Sequence, residues 1–222
     1  MKVIKRDKNP KNKETIEEGQ SSRPKSEDRT SLKLSRDLNE NYMKFQAFLA
    51  ESTDTVFRKF RLGTRGTRCA LVFIDGLTNK TDIQEMILKP MMFEISQLEQ
   101  SNDAVCQEDA YEFVLDHVLS MAEINEVETL DDAMLSVMSG ETALMIDGYD
   151  KIITISARGW PTRGISDPET EGVIRGAKEG FTETLRTNTA LLRRKCKDPN
   201  MVIRTIRLGR RSKTDVAYIY IK

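Results

Sequence analysis

Acids, bases and glycines alternate through residues 167–199, "DPETEGVIRGAKEGFTETLRTNTALLRRKCKDP". Glu169 and Glu171 stand two apart, Arg175 follows, and Arg158 and Arg163 lie just upstream. Together these residues could hold both ends of a small zwitterion, with a cation for a carboxylate and an anion for an ammonium. A structural salt-bridge network would use the same residue types, and the sequence alone leaves both open. Arg186 and Asn188 come next, on the helix predicted from about Glu183 to Lys197 with Thr182 as its cap. Leu185, Leu192 and Cys196 are its expected apolar face, with Asn188 and Thr189 falling in it and Arg186, Arg193 and Lys197 alongside. An amide on the core side of a helix needs hydrogen-bond partners, so Asn188 either pins the backbone of the preceding loop or faces a ligand. Gly172, Gly176 and Gly180 recur every four residues. Three glycines would cost a helix about 2–3 kcal/mol relative to alanine. A loop with special backbone angles is the expected structure.

Other chemistries fit poorly. "GVIRGAKEG" lacks the phosphate-loop spacing, and no Ser or Thr follows Lys178. The only histidine is His117, and Cys69, Cys106 and Cys196 are widely spaced with no CxxC pair. This pattern gives neither a usual zinc site nor a disulfide framework, so no metal, no cofactor and no catalytic residue is expected. No nucleophile elbow or Cys/His pair occurs either. Bases gather over 193–213, but Tyr218 and Tyr220 are the nearby aromatics and no basic residue is interleaved with them, so nucleic acid is not an expected partner.

Charge divides the chain while leaving its total at zero. Residues 1–89 carry 19 Lys/Arg and 13 Asp/Glu, residues 90–150 carry no base and 15 acids, and residues 151–222 carry 16 bases and 7 acids. These stretches either neutralise one another within the fold or present opposite faces to another copy or subunit. The amino terminus lacks the apolar run of a signal peptide, and no stretch of 18 apolar residues occurs.

The elements that must position these residues follow from periodicity. Residues 1–37 contain no aromatic residue and little to bury, and are expected to form a disordered arm. Asp37 is a plausible cap for a helix carrying Leu38, Tyr42, Phe45 and Leu49. "TVFRKFRLG" and "RCALVFIDG" read as strands, the second apolar throughout from Cys69 to Ile74 as if covered on both faces. Helices follow at 83–91, bent or split by Pro90, and over Tyr111–Ala122, and a third closes at Gly140. Beyond it, two strands meet at Asp147-Gly148, and "MVIRTIRLG" and "DVAYIYIK" are two more. The apolar run from Val216 to Ile221 predicts a strand buried on both faces, and its abrupt end is expected of a piece of a longer chain. The fold class is therefore mixed α/β: a disordered arm over 1–37, then two small subdomains over 38–139 and 140–222.

The opening stretch resembles the signature of the GerA spore germination family, and of its A subunits in particular. In that signature an acidic-Pro-Glu-x-Glu segment leads into Arg-Gly-Pro-Arg-Glu-Gly-Phe and an Asn-bearing, Arg-rich helix. "ALVFIDGLTNKTDIQEMILKPMM" and "TALMIDG…ARGWPTRGISDPE" are similar to the family as well, so the likeness covers roughly residues 38–222. Ala177 stands where the family has proline and Lys178 where it has arginine, which implies a looser loop here. The resemblance implies a non-enzymatic, soluble N-terminal domain on the cytoplasmic side of the inner spore membrane, continuing into a C-terminal transmembrane region with several apolar spans. It implies B and C subunits and other copies of the A subunit as partners. The implied function is sensing of a nutrient germinant (an amino acid, nucleoside or sugar) or relay of its binding; the alternative is a docking domain for subunit assembly, with the nutrient bound elsewhere. In the sensing case Arg158, Arg163, Glu169, Glu171, Arg175, Arg186 and Asn188 are the candidate ligand or relay residues, with Gly172, Gly176 and Gly180 shaping the loop.

Overall fold

Valine, isoleucine and phenylalanine crowd the stretches that become strands in the computed structural model, which describes residues 32–64, 66–97, 109–121, 123–160 and 180–222. Strands β1 (Thr55–Leu62) and β2 (Thr67–Ile74) form an antiparallel hairpin. β3 (Ile124–Val127), β4 (Thr142–Ile146) and β5 (Ile152–Ile155) complete a five-stranded antiparallel sheet in the order β1-β2-β4-β5-β3. β6 (Met201–Leu208) and β7 (Thr214–Ile221) make a separate two-stranded sheet. All strand pairs are antiparallel.

Helices cover both faces of the larger sheet. α1 (Leu38–Leu49) begins at Asp37, whose carboxylate accepts from the Asn39 amide as a helix cap should. A second helical run, α2, opens at Lys80–Asp82, widens into π-helical turns over Ile83–Leu88 and Pro90–Glu94, and continues to residue 97. The sequence predicts a bend or split at Pro90. Helical turns run unbroken through it, so the helix is not split there, and the wide turns accommodate the missing proline donor. α3 (Ala110–Phe113, continuing as a π turn over Val114–Val118) and α4 (Leu130–Met138, capped by Thr129) complete this part. α5 (Leu185–Lys195) precedes β6.

Alternation along the strands assigns the two cores. On one face Phe60, Leu62, Cys69, Leu71 and Phe73 pack with Ile83, Ile87, Met91 and Ile95 of α2 and Tyr111, Phe113 and Val114 of α3. On the other, Ala70, Val72, Ile74, Ala143 and Met145 meet Leu38, Phe45 and Leu49 of α1, Ala133, Met134 and Val137 of α4, and Ala190 of α5. β2 is therefore buried on both sides, as its apolar run predicts. Burial also holds the Cys69 thiol protonated, its pKa pushed up to about 12.

Three expectations need correction. The division near Gly140 does not follow the sheets: β2, from before that residue, pairs with β4, from after it, and the described residues all fall in a single compact unit. Gly140 instead ends α4 at φ +93°, a local turn within one sheet. The arm also ends earlier than residue 37, since Leu34 is buried in the second core, Lys33 bridges Thr129, and the Leu32 carbonyl accepts from the Leu130 amide. Residues 1–31 lie outside the described residues. Finally, β7 is not buried on both faces, for Tyr218, Tyr220 and Ile221 are exposed. β3 has no counterpart in the sequence reading, because its Asn125 and Glu126 interrupt the apolar pattern.

Asp147 ties three of these elements together at the β4–β5 turn. Its carboxylate accepts from the Leu38 amide at the start of α1 at 3.1 Å and from Arg68 of β2 at 2.9 and 2.7 Å. Partial burial raises its pKa, but the Leu38 amide, the Arg68 hydrogen bonds and the Arg68 charge outweigh that and leave it lowered. A carboxyl lowered in the fold contributes stability that is present above its unfolded value and lost as pH falls through the folded one. Asp147→Asn is therefore expected to cost about 1–2 kcal/mol at pH 7. Urea melts should show the gap to the parent protein closing as the carboxylate is protonated below about pH 4; a gap of the same size at both pH values contradicts this role.

Candidate functional site

β2 runs into the turn Asp75-Gly76, and this turn forms one wall of a cleft of about 340 Å³. Asp75, Gly76, Thr78, Asn79 and Lys80 line one side, Gly159 another, and Thr184, Arg186 and Thr187 of the α5 entrance a third. Gly76 has φ +95°, and a Cβ there would lie 3.3 Å from the Ala190 Cβ and 3.6 Å from the Arg186 Cγ. Glycine is needed both for the turn and for the close seat of α5. Gly159 is tighter in space, since a Cβ there would meet Asn79 at 2.5 Å. The Asn79 amide donates to the Ala157 carbonyl and the Gly159 amide to the Leu77 carbonyl, which fixes that wall. Thr78 is buried and its hydroxyl donates to the Ile74 carbonyl at 3.0 Å.

The cleft is rich in positive charge. Lys80 donates to Asp75 at 3.0 Å, and Arg186 pairs with the other oxygen of the same carboxylate. Two helices also begin here. α2 starts behind Asn79, whose side chain caps it through the Thr81 amide, while Thr184 at the start of α5 makes no side-chain cap bond. Helix amino termini favour negative charge. One carboxylate thus faces two cations and two helix starts, an arrangement that can accept a further anionic group, or exchange one cation for the ammonium of a zwitterion while the freed cation takes its carboxylate.

The far end of α5 is anchored by Arg193, whose side chain is 1% exposed. Its guanidinium donates to both oxygens of Asp54 at 2.8 and 3.0 Å, to the Ser52 hydroxyl at 2.9 Å and to the Met201 carbonyl at 2.7 Å. The Asp54 carbonyl in turn accepts from the Asp75 amide at 2.7 Å. Asp54 therefore bonds the cleft turn through its backbone and the helix anchor through its side chain.

Of the residues proposed from sequence, Arg186 lies in the cleft. Arg158 lies apart from its lining and pairs with Glu141 at 2.6 Å. Asn188 accepts from the Thr182 amide and donates to the Thr182 carbonyl, both at 2.7 Å, so it holds the strand of chain entering α5. Gly180 stands at the start of a described stretch, with no described atom near the place of a Cβ. Arg163, Glu169, Glu171, Arg175, Gly172 and Gly176 lie outside the described residues. α5 buries Thr189, which falls in the predicted face, but also Ala190 and Arg193 beside it, while Leu185, Leu192 and Cys196 are only half-buried; Gly76 admits Ala190 and Asp54 neutralises Arg193. Asp75 and Lys80 carry little signal in the sequence beyond the recurrence of Ile-Asp-Gly at 74–76 and 146–148. Among the described residues, no three His, Cys, Asp or Glu side chains are grouped to hold a metal ion, and no helix is long and apolar enough to cross a membrane.

Replacing Asn188 with leucine strands the amide and carbonyl of Thr182 and is expected to cost about 1–3 kcal/mol. Thermal and urea melts of the variant measure this, and a variant that melts like the parent overturns the assignment.

Comparison with known proteins gives this geometry a context. Residues 43–222 match the family model described as Bacillus/Clostridium GerA spore germination protein. Spore germination protein GerLA of Bacillus cereus is 30% identical over 191 residues, covering 86% of this chain and 37% of GerLA. Spore germination protein B1 of Bacillus subtilis is 32% identical over 191 residues, covering 86% of this chain and 38% of that protein. This chain thus spans little more than a third of the length of these relatives. The crystal structure of the N-terminal domain of the A subunit of the Bacillus megaterium spore germinant receptor GerK3 is similar at a TM-score of 0.65 and 27% identity, over 87% of this chain and 68% of that one. The chain belongs to the GerA spore germination protein family.

Proposed function

We propose that this chain forms the N-terminal domain of a germinant receptor A subunit and takes part in sensing a small germinant at the Asp75 cleft. The observation that carries this is the doubly paired carboxylate: Lys80 and Arg186 both hold Asp75 in a cleft large enough for an amino acid. A zwitterion can enter such a pair with every charge remaining matched, whereas a neutral sugar or nucleoside gains only hydrogen bonds there. The family relationship supports a setting in the inner spore membrane, with this domain on the spore-core side and the B and C subunits as partners. Shared Asp54 supports a relay, because displacement of Arg186 at the start of α5 acts on the helix that Arg193 anchors at its other end.

A docking role is the second reading, favoured by opposite charges on the two edges of the sheet. β1 exposes Arg58, Lys59 and Arg61, while β3 and its flanks expose Glu123, Glu126 and Glu128. Such edges suit contact with another copy of the A subunit.

Titration of the isotope-labelled chain with amino acids, nucleosides and sugars separates the two. At about 50 mM ligand, enough to fill a site of millimolar Kd, the sensing reading expects the Asp75, Gly76 and Lys80 amide signals to move with an amino acid and to stay fixed in Arg186→Gln. Spectra that do not move with any of the three classes contradict sensing at this cleft and favour docking.

A further inference from the structure

The hairpin β6–β7 repeats the hairpin β1–β2. The pattern V-x-R-x-x-R-L-G occurs at residues 56–63 and again at 202–209, and both glycines turn at positive φ, +43° for Gly63 and +88° for Gly209. Each hairpin pairs eight residues with eight, from Thr55↔Ile74 to Leu62↔Thr67 in the first and from Met201↔Ile221 to Leu208↔Thr214 in the second. The registers therefore match Phe60, Leu62, Cys69, Leu71 and Phe73 with Ile206, Leu208, Val216, Tyr218 and Tyr220. The first five are at most 8% exposed, whereas the second five are between 37% and 50% exposed. The same apolar face is closed in one copy and open in the other.

The first copy is closed by the helix that follows it directly, together with Tyr111, Phe113 and Val114 of α3. α2 leaves the end of β2 and lays Ile83, Ile87, Met91 and Ile95, each four residues on, against that face. We infer that the β6–β7 face is the seat of an equivalent helix, carrying large apolar residues at the same spacing and following β7 in the longer polypeptide. The stretches of this chain outside the described residues do not supply it. Residues 1–31 hold only Met1, Val3, Ile4 and Ile16 as apolar side chains, residues 98–108 hold Leu98, Ala104, Val105 and Cys106, and residues 161–179 hold Ile165, Val173, Ile174 and Ala177 among two prolines and three glycines. None of these stretches has four large apolar residues at helical spacing. Chain is available elsewhere: about a third of the GerK3 domain and more than three-fifths of GerLA have no counterpart in these 222 residues. An isolated two-stranded hairpin is marginal in water, so an additional layer also meets a physical need.

A photo-crosslinking residue, p-benzoylphenylalanine, placed at position 218 of the full-length subunit tests this. Irradiation should join it to residues of the same polypeptide that follow position 222, at sites three or four residues apart. The same reporter at position 207, on the opposite face, should not reach them. Crosslinks at position 218 to a second copy, to another subunit, to lipid or to residues 1–31, 98–108 or 161–179 overturn the inference, as does the absence of any crosslink.

Discussion

A buried ion pair, Arg193 with Asp54, sets the relation between the cleft, the helix α5 and the second hairpin. The two side chains are 1% and 9% exposed, and two parallel hydrogen bonds join them. Removing both charges from water costs several kcal/mol for each ion, which only good geometry and further hydrogen bonds offset. Both are present. The remaining guanidinium donors reach the Ser52 hydroxyl and the Met201 carbonyl, and the Ser52 hydroxyl also accepts from the Ile203 amide at 3.1 Å. Such a pair has one arrangement in which all its groups are satisfied, so it fixes geometry more than it adds stability.

Three consequences follow along the chain. The start of β6 is held to the loop before β1, where the Thr53 amide donates to the Ile203 carbonyl and the Thr53 hydroxyl accepts from the Thr205 amide. α5 is fixed at its carboxyl end by Arg193 and seated along its length by Ala190 against Gly76. The amino end of the same helix then delivers Arg186 to Asp75, whose amide bonds to the Asp54 carbonyl. In the proposed sensing role, a charged ligand that competes for Arg186 would pull on a helix whose other end is tied to the second hairpin.

Much of the frame is legible in the sequence because it rests on local chemistry. Asp37 is a side-chain cap, Gly140 closes a helix, Asp147-Gly148 is a turn, and the apolar run of β2 announces a strand covered on both faces. What the sequence hides is long-range. Arg193 sits among Arg194, Lys195 and Lys197 and looks like a surface cation at a helix end; only the return of Asp54, 139 residues away, makes it a core residue. β3 is missed because a short edge strand with one polar face lacks a marked period. The division near Gly140 fails for a related reason, since the change from helical to strand periodicity there marks a change of element within one sheet. The site itself was only partly legible. Arg186 stands out by its charge and neighbourhood, but its partner Asp75 lies at the end of an apolar strand run and gives no sign there of its two ion pairs.

The most direct test of this account is a double-mutant cycle on the buried pair, using Asp54→Asn, Arg193→Met and their combination in urea melts. Each single change leaves a buried group without its partner and is expected to cost about 3–5 kcal/mol. The double variant should cost clearly less than the sum of the two, showing a coupling of the order of 1–3 kcal/mol. Additive effects, or single changes that leave the melt unmoved, would contradict the claim that Arg193 and Asp54 organise the cleft, the helix and the second hairpin as one unit.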